Sequence, residues 1–257
     1  MTPPPNPPIE PGSGEDFLTP IHKGLRGMIY ALADRLQSTD LADPAAAAPM
    51  VAQLRHELAG PRPTACVVCL LHAHTGGEDI FAFPGVRTFD PDLIDGLRRE
   101  HAEIEAKIRT VARLGEELAD ASAPPARGRA GGRLLRAAND LFATYLSHLN
   151  REEEELVPLL QQRLSGPEIV ALGDAMERAL RPDRRAELHR WILRSLDPPE
   201  LAAWLREQRR RGPPGEFAEL LAEGATLVEP ERWALACARA GTHRSAVGPS
   251  ADAGSTS

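Results

Sequence analysis

Apolar side chains recur at helical spacing along most of the chain. The first such run places Leu25, Met28, Ile29 and Leu32 on one face of a helix. Runs of β-branched residues that would favour strands are scarce. The pattern predicts an all-α chain whose first part contains four long helices, A to D, at residues 15–39, 46–80, 91–119 and 131–164.

Prolines and glycines mark the expected helix ends. Asp90 and Pro91 have the character of an N-cap and a first-turn proline, and they predict the start of helix C. The segment 121–132 contains two prolines and three glycines, so it is predicted to separate helix C from helix D.

Four segments are predicted along the chain. They are a disordered Pro-rich tail at 1–13, a four-helix bundle at 14–166, a helical extension at 167–243 and a disordered tail at 244–257. Two proline pairs interrupt the extension, so it is expected to consist of three or four shorter helices packed beside the bundle.

Composition narrows the class of protein. A formal charge of −7 argues against a nucleic-acid partner or an anionic membrane surface, because either would require a basic face. The sequence shows neither a signal peptide nor a run of apolar residues long enough to span a membrane. Only three cysteines occur, and Cys66 and Cys69 are interpreted as small core residues rather than a zinc or redox pair. These features predict a cytoplasmic protein.

Histidines and glutamates form a pattern that repeats from helix to helix. Each predicted helix of the bundle carries one candidate histidine: His22, His74, His101 and His148. Three of these histidines are followed, four or five residues later, by a glutamate: Glu78, Glu105 and Glu153. His74 and His101 both lie about 15 Å from the turn between helices B and C, at about 1.5 Å per residue. A similar count from the connection between helices C and D places His148 level with His101, so these three histidines are expected to meet at one level of the bundle.

An internal repeat strengthens this expectation. The segments 74–84 and 148–158 both begin with His, carry an acidic pair at the fifth and sixth positions, and end with Pro. A helix pair duplicated about a pseudo-two-fold axis would converge on one central site. Buried carboxylates and imidazoles would require a cation, and a set of nitrogen and oxygen ligands suits iron or manganese, with zinc as another occupant. The alternative is a helical protein without metal, in which these histidines are ordinary surface or core residues.

At these residues the sequence resembles the hemerythrin-like family, which carries the HHE cation-binding domain, over about residues 16–165. The resemblance implies an up-down-up-down four-helix bundle that holds two non-haem iron ions. It also implies seven metal ligands, which are His22, His74, Glu78, His101, Glu105, His148 and Glu153. Glu78 and Glu153 fall at the positions that bridge the two ions in the family.

Three assignments within this set involve alternatives. Glu152 lies nearer than Glu153 to the face of His148, but the family spacing favours Glu153. His72 lies about 200° around the helix from His74, so both cannot face one site; His74 has the carboxylate partner. Glu105 stands where oxygen-carrying members have a second histidine, and a third carboxylate would favour reactive-species chemistry over reversible oxygen storage.

The predicted function is that of a di-iron protein that interacts with dioxygen, peroxide or nitric oxide. The alternative is a metal- or oxygen-responsive sensor module, in which the metal orders the bundle and exposes the extension at 167–243 to a protein partner. A peroxide-consuming or oxidase enzyme is a third hypothesis, and the sequence leaves open whether the protein is an enzyme.

Overall fold

The computed structural model describes residues 16–58 and 67–242. Within these ranges the chain forms α-helices and two π-helical turns, and it contains no strand. The predicted all-α class is therefore confirmed. Both predicted tails lie outside the described residues, and so does Cys66; no side chain is described at Cys69.

The helices of the first part of the chain follow one another closely. They are α1 (Leu18–Ser38), α2 (Pro44–Leu58), α3 (Val67–Gly77), α4 (Phe83–Val86), α5 (Pro91–Asp120), α6 (Pro124–Arg151) and α7 (Val157–Arg163). A first π turn, Glu78–Ala82, joins α3 to α4, and a second π turn, Glu152–Leu156, joins α6 to α7.

The boundaries of helices B and D differ from the prediction. The range of helix B contains both α2 and α3, separated by residues that the structure does not describe. Helix α6 begins at Pro124, within the segment predicted to be a connection, because prolines are well tolerated in the first turn of a helix. A Cβ added at Gly131 would lie 2.5 Å from Cβ of Leu41, so this glycine lets Leu41 pack closely against α6.

The predicted start of helix C is confirmed. Pro91 is the first residue of α5, and the carboxylate of Asp90 accepts a hydrogen bond of 2.9 Å from the backbone N–H of Leu93. This bond satisfies one of the donors that a helix N-terminus leaves unpaired.

Helices α5 and α6 run antiparallel. Lys107 Nζ donates to Asp140 at 2.5 Å, and Arg133 Nη2 donates to Glu117 at 2.7 Å, so later residues of one helix meet earlier residues of the other. Apolar faces of both helices meet in the core, where Leu118 and Leu134 are fully buried. This pairing brings the first part of α5 beside the end of α6.

Helix α1 also runs antiparallel to the end of α6. His22 Nδ1 contacts Glu153 at 2.9 Å, while one turn further along α1 the guanidinium of Arg26 donates to Asn150 at 2.8 Å. The first half of α1 therefore lies beside the second π turn.

The C-terminal helices are α8 (Gly166–Ala179), α9 (Pro182–Ser195), α10 (Pro198–Arg211), α11 (Pro214–Leu227) and α12 (Pro230–Ala240). Their number exceeds the expected three or four. The two boundaries that the proline pairs did not indicate are at Pro182 and Pro230, single prolines that each open a new helix.

The C-terminal helices pack against α1. A Cβ at Gly24 would lie 3.1 Å from Cγ1 of Ile192, so the absence of a side chain lets α9 approach closely. Lys23 Nζ donates to both carboxylate oxygens of Glu200, at 2.5 and 2.6 Å. Among the described helices, none has the length and apolar character that crossing a membrane would require.

Candidate metal centre

Two π turns position the central carboxylates. Glu78 and Glu152 each occupy the first position of a π turn, and their carbonyls accept hydrogen bonds from the N–H groups of Phe83 and Val157, five residues later. Each turn is followed at once by a proline-containing helix. A proline ring clashes with the carbonyl four residues earlier, and a wider turn relieves this crowding. Such π turns are frequent at functional sites.

The two glutamates are shared by two groups of possible metal ligands. The first group is His22, His74, Glu78 and Glu152, and the second is Glu78, His101, His148 and Glu152. Within each group the nitrogen and oxygen atoms lie within 4.8 Å of one another. Every member is buried, and both glutamates are 0% exposed. The chain thus brings four imidazoles and two carboxylates together at one level.

The carboxylate oxygens of each glutamate face histidines of both groups. Glu78 Oε1 lies 3.5 Å from His74 Nε2, and Oε2 of the same carboxylate lies 3.6 Å from His101 Nε2. Glu152 Oε2 lies 3.5 Å from His22 Nε2, and Glu152 Oε1 lies 2.9 Å from His148 Nε2. Each carboxylate could therefore bridge two cations, one in each group.

Most of the polar atoms that line the centre have no hydrogen-bond partner among the described residues. Neither oxygen of Glu78 or Glu152 accepts a well-aligned hydrogen bond from the described residues, and Nε2 of both His22 and His74 also lacks a partner. Burying an unpaired carboxylate costs several kcal/mol or more, so an arrangement with two of them is costly unless a cation neutralises it. A metal ion would satisfy these atoms together.

The imidazoles of His101 and His148 also indicate that a positive charge belongs at the centre. Their Nε2 atoms lie 3.1 Å apart. In both rings Nδ1 faces a carboxylate, which can only accept a hydrogen bond, so in the neutral rings both Nε2 atoms carry a lone pair. Two lone pairs at this distance require a proton or a cation near them.

Carboxylates outside the two groups orient three of the four rings. His22 Nδ1 donates to Glu153 Oε1 at 2.9 Å, and Arg26 in turn donates to the same oxygen at 2.7 Å. His148 Nδ1 donates to Glu100 at 2.8 Å, and Arg151 donates to Glu100 at 2.6 Å. Such contacts fix the tautomer and direct Nε2 toward the centre.

The third oriented ring is that of His101. Its Nδ1 lies 3.3 Å from Asp79 Oδ2, and Nε of Arg98 donates to Asp79 Oδ1 at 3.3 Å. Asp79 and Glu153 each follow the first glutamate of a π turn, so they occupy equivalent positions of the internal repeat.

The pKa values follow from burial and from these contacts. Burial lowers the pKa of His74 to about 4, so the ring is neutral at neutral pH and one of its nitrogens carries a lone pair that can bind a metal. Burial and the neighbouring Glu152 raise the pKa of Glu78 well above its usual value. Burial would also raise the pKa of Glu153, but hydrogen bonds from His22 and Arg26 lower it to about 2.

The structure brings five of the seven sequence-predicted ligands into the two groups: His22, His74, Glu78, His101 and His148. The sixth member of the cluster is Glu152, the alternative to Glu153 for this position. Glu153 lies outside both groups. Its carboxylate contacts Nδ1 of His22, the nitrogen that faces away from the centre, and its side chain is 33% exposed. The reason is that the π turn begins at Glu152, which directs this residue into the centre and its neighbour away from it.

Glu105 is also placed outside both groups. Its carboxylate lies 3.0 Å from His72 Nδ1 and accepts a hydrogen bond of 3.0 Å from Arg109, and its side chain is 38% exposed. Helices α3 and α5 are antiparallel here, because Asp79 meets Arg98 while the earlier His72 meets the later Glu105. Glu105 is therefore level with His72 and away from the centre, so the two groups contain two carboxylates and not three.

Comparison with known proteins supports cation binding. Residues 64–160 match the family model of the hemerythrin HHE cation binding domain, and the resemblance to the hemerythrin-like family is confirmed over this segment. The match covers less than half of the chain, and His22 lies outside it. No curated protein and no solved structure matches the chain. The matched family binds cations, and the two buried groups are suited to hold them.

Proposed function

We propose that the protein binds two non-haem metal ions, one in each group, and that the metal in the cell is iron. The observation that carries this proposal is that Glu78 and Glu152 belong to both groups and have no other partner among the described residues. A mixed set of imidazoles and carboxylates suits iron, with manganese or zinc as alternatives. The proposed ligands are His22, His74, Glu78, His101, His148 and Glu152.

The proposed architecture around these ions is an up-down-up-down four-helix bundle built from α1, α3, α5 and α6. The antiparallel contacts of α1 with α6, of α6 with α5, and of α5 with α3 and the π turn that follows it support it. We propose that this unit occupies residues 14–166 and that the segment from 167 to 243 is an extension of it. The small number of cysteines supports a cytoplasmic location.

We further propose that the centre interacts with dioxygen, peroxide or nitric oxide. When bound, two iron ions would supply open coordination positions and a source of electrons, since six protein side chains do not saturate two ions that share carboxylates. The chain's own residues then have defined tasks. Glu153, Asp79 and Glu100 hold protons on Nδ1 of their histidines, and their arginine partners neutralise the added charge.

This function can be tested by optical spectroscopy of the iron-loaded protein. Addition of dioxygen, hydrogen peroxide or nitric oxide under controlled conditions is expected to produce new absorption in the near-ultraviolet and visible range. The same additions to Glu78→Gln are expected to produce no such change, because one shared carboxylate is lost. A loaded protein whose spectrum responds to none of the three molecules would contradict the proposal.

A sensor role remains the second candidate, because the C-terminal helices pack directly on the helix that carries His22. Lys23 and Gly24, next to His22 in sequence, contact Glu200 and Ile192 of these helices. Limited proteolysis with and without iron tests this role. Faster cleavage between residues 166 and 240 in one of the two states is expected of a sensor, and an identical digestion pattern in both states would argue against it.

A further inference from the structure

The two halves of the centre are related by the internal repeat, yet their surroundings differ. The repeat of segment 74–84 at 148–158 pairs His74 with His148 and Glu78 with Glu152. The two groups of ligands then pair the remaining histidines, His22 and His101. Glu100 precedes His101, and Ile21 precedes His22. These two residues therefore occupy equivalent positions in the two halves. A carboxylate in one half is therefore replaced by an aliphatic side chain in the other.

At this position the two halves treat their imidazoles differently. Nδ1 of His148 donates to Glu100, whereas Nδ1 of His74 is buried and has no hydrogen-bond partner in the part of the chain that the structure describes. Arg151, which pairs with Glu100, corresponds in the repeat to Gly77. A Cβ at Gly77 would lie 3.1 Å from Cε of Met176, so a helix of the C-terminal group covers this position.

An apolar cavity of about 60 Å³ lies beside this less polar half. From the helices of the centre it is lined by Ile21, Leu25, Leu70, Ala73 and His74. The C-terminal helices supply the opposite wall with Leu180, Leu188, Ile192 and Trp204. For comparison, an apolar cavity of about 150 Å³ stays dry and accommodates benzene or xenon. The smaller volume here suits a diatomic molecule or a single xenon atom.

The cavity shares part of its lining with an open cleft. Glu177, His189 and Arg211 line both the cavity and the cleft. Glu177 accepts a hydrogen bond of 2.8 Å from Arg211, and its other oxygen lies 3.1 Å from Nε2 of His189. The cavity that His74 lines and the open cleft are therefore adjacent at this charged cluster.

We propose that this cavity is a binding site for a small uncharged apolar molecule, and that it gives such a molecule access to the half of the centre that contains His22 and His74. The proposal of a binding site depends only on the cavity, whereas the proposal that the cavity is an access route rests on the proposed function. The C-terminal helices would then act as the outer wall of the ligand site. A charged molecule would be disfavoured beside the apolar walls, because it would lose its hydration there, although Asp16, Glu207 and Arg211 also line part of the cavity.

Xenon is the direct probe of the site, because it binds apolar cavities whether or not metal is present. Methyl NMR spectra of the full chain under xenon pressure are expected to show shifts concentrated at Ile21, Leu25, Leu188 and Ile192, with and without iron. Ala73→Leu fills the cavity and is expected to abolish these shifts. Ala179→Leu, the same change at an exposed position outside the cavity, is the matched control and is expected to retain them.

The access role has its own measurement. In the iron-loaded protein, Ala73→Leu is expected to slow the reaction with dioxygen by about tenfold while iron content stays unchanged. The proposed binding site would be overturned if the wild type showed no xenon shifts, or if the shifts survived Ala73→Leu in a folded protein. A water molecule held by His74 would then be the occupant. Xenon binding with an unchanged dioxygen rate in Ala73→Leu would overturn the access route. Xenon binding without iron uptake would contradict the proposed function, and with it the access route, but it would leave the binding site in place.

Discussion

Glu152 and Glu153, adjacent in sequence, contact opposite nitrogens of the same histidine ring. Glu152 Oε2 lies 3.5 Å from Nε2 of His22, and Glu153 Oε1 lies 2.9 Å from Nδ1. The first carboxylate is fully buried and the second is one-third exposed. One residue thus faces the proposed metal position, and its neighbour orients the ring from behind.

This relationship predicts different effects of the same substitution at the two positions. Glu152→Gln is expected to reduce bound iron to less than half of the wild-type amount, because its carboxylate belongs to both groups. Glu153→Gln is expected to bind the full amount with an affinity about 10–100-fold weaker, as is usual for residues that orient a ligand. Iron content and affinity after anaerobic reconstitution measure both effects. Equal iron loss in the two variants would contradict the distinction.

Glu105 supplies a second comparison. Glu105→Gln is expected to leave iron content unchanged, since its carboxylate contacts His72 and Arg109 rather than the centre. Glu78→Gln, at the same spacing from its own helix histidine, is expected to lower iron content strongly. Metal analysis of both purified variants provides the test. A loss of iron from Glu105→Gln would show that this residue reaches the centre.

Removal of metal is expected to destabilise the protein. Without a cation, Glu78 and Glu152 are buried close together with no well-aligned donors from the described residues. A metal ion that binds only the folded state, present at a hundred times its dissociation constant, raises the free energy of unfolding by about 2.7 kcal/mol. Urea unfolding with iron and with a chelator measures this difference. Identical unfolding free energies in the two conditions would show that these carboxylates do not hold a cation.

Two glycines of α6 should respond oppositely to alanine. Gly131→Ala is expected to lower the free energy of unfolding by about 1–3 kcal/mol, because its Cβ would overlap that of Leu41. Gly128→Ala is expected to raise this free energy by about 0.5–1 kcal/mol, because the nearest atom, Cβ of Ala42, is 3.8 Å away and alanine favours the helix. Chemical unfolding of the two variants tests the packing of α6 without touching the centre.

Much of the centre could be predicted from the sequence because histidine and glutamate recur at helical spacing. The internal repeat also aligns Glu152 with Glu78 and Glu153 with Asp79, so it already contained the signal for Glu152. The family spacing pointed to Glu153 instead. The π turn that decides between them depends on backbone geometry that spacing alone does not reveal.

Other features depend on packing between distant elements. The contact of His148 with Glu100 joins α6 to α5, and no sequence pattern links these two residues. Glu105 has the same spacing from His101 as Glu78 has from His74, yet the register of α3 against α5 places it beside His72. The cavity beside His74 requires walls from both parts of the chain, so no local pattern predicts it.

The central claim is that Glu78 and Glu152 are shared by two metal ions. Anaerobic titration of the metal-free protein with ferrous iron, followed by metal analysis of the separated protein, tests it most directly. The wild type is expected to saturate at two iron ions per chain, and the double variant Glu78→Gln/Glu152→Gln is expected to bind none tightly. Saturation of the folded wild type at one ion, or no binding, would contradict the claim.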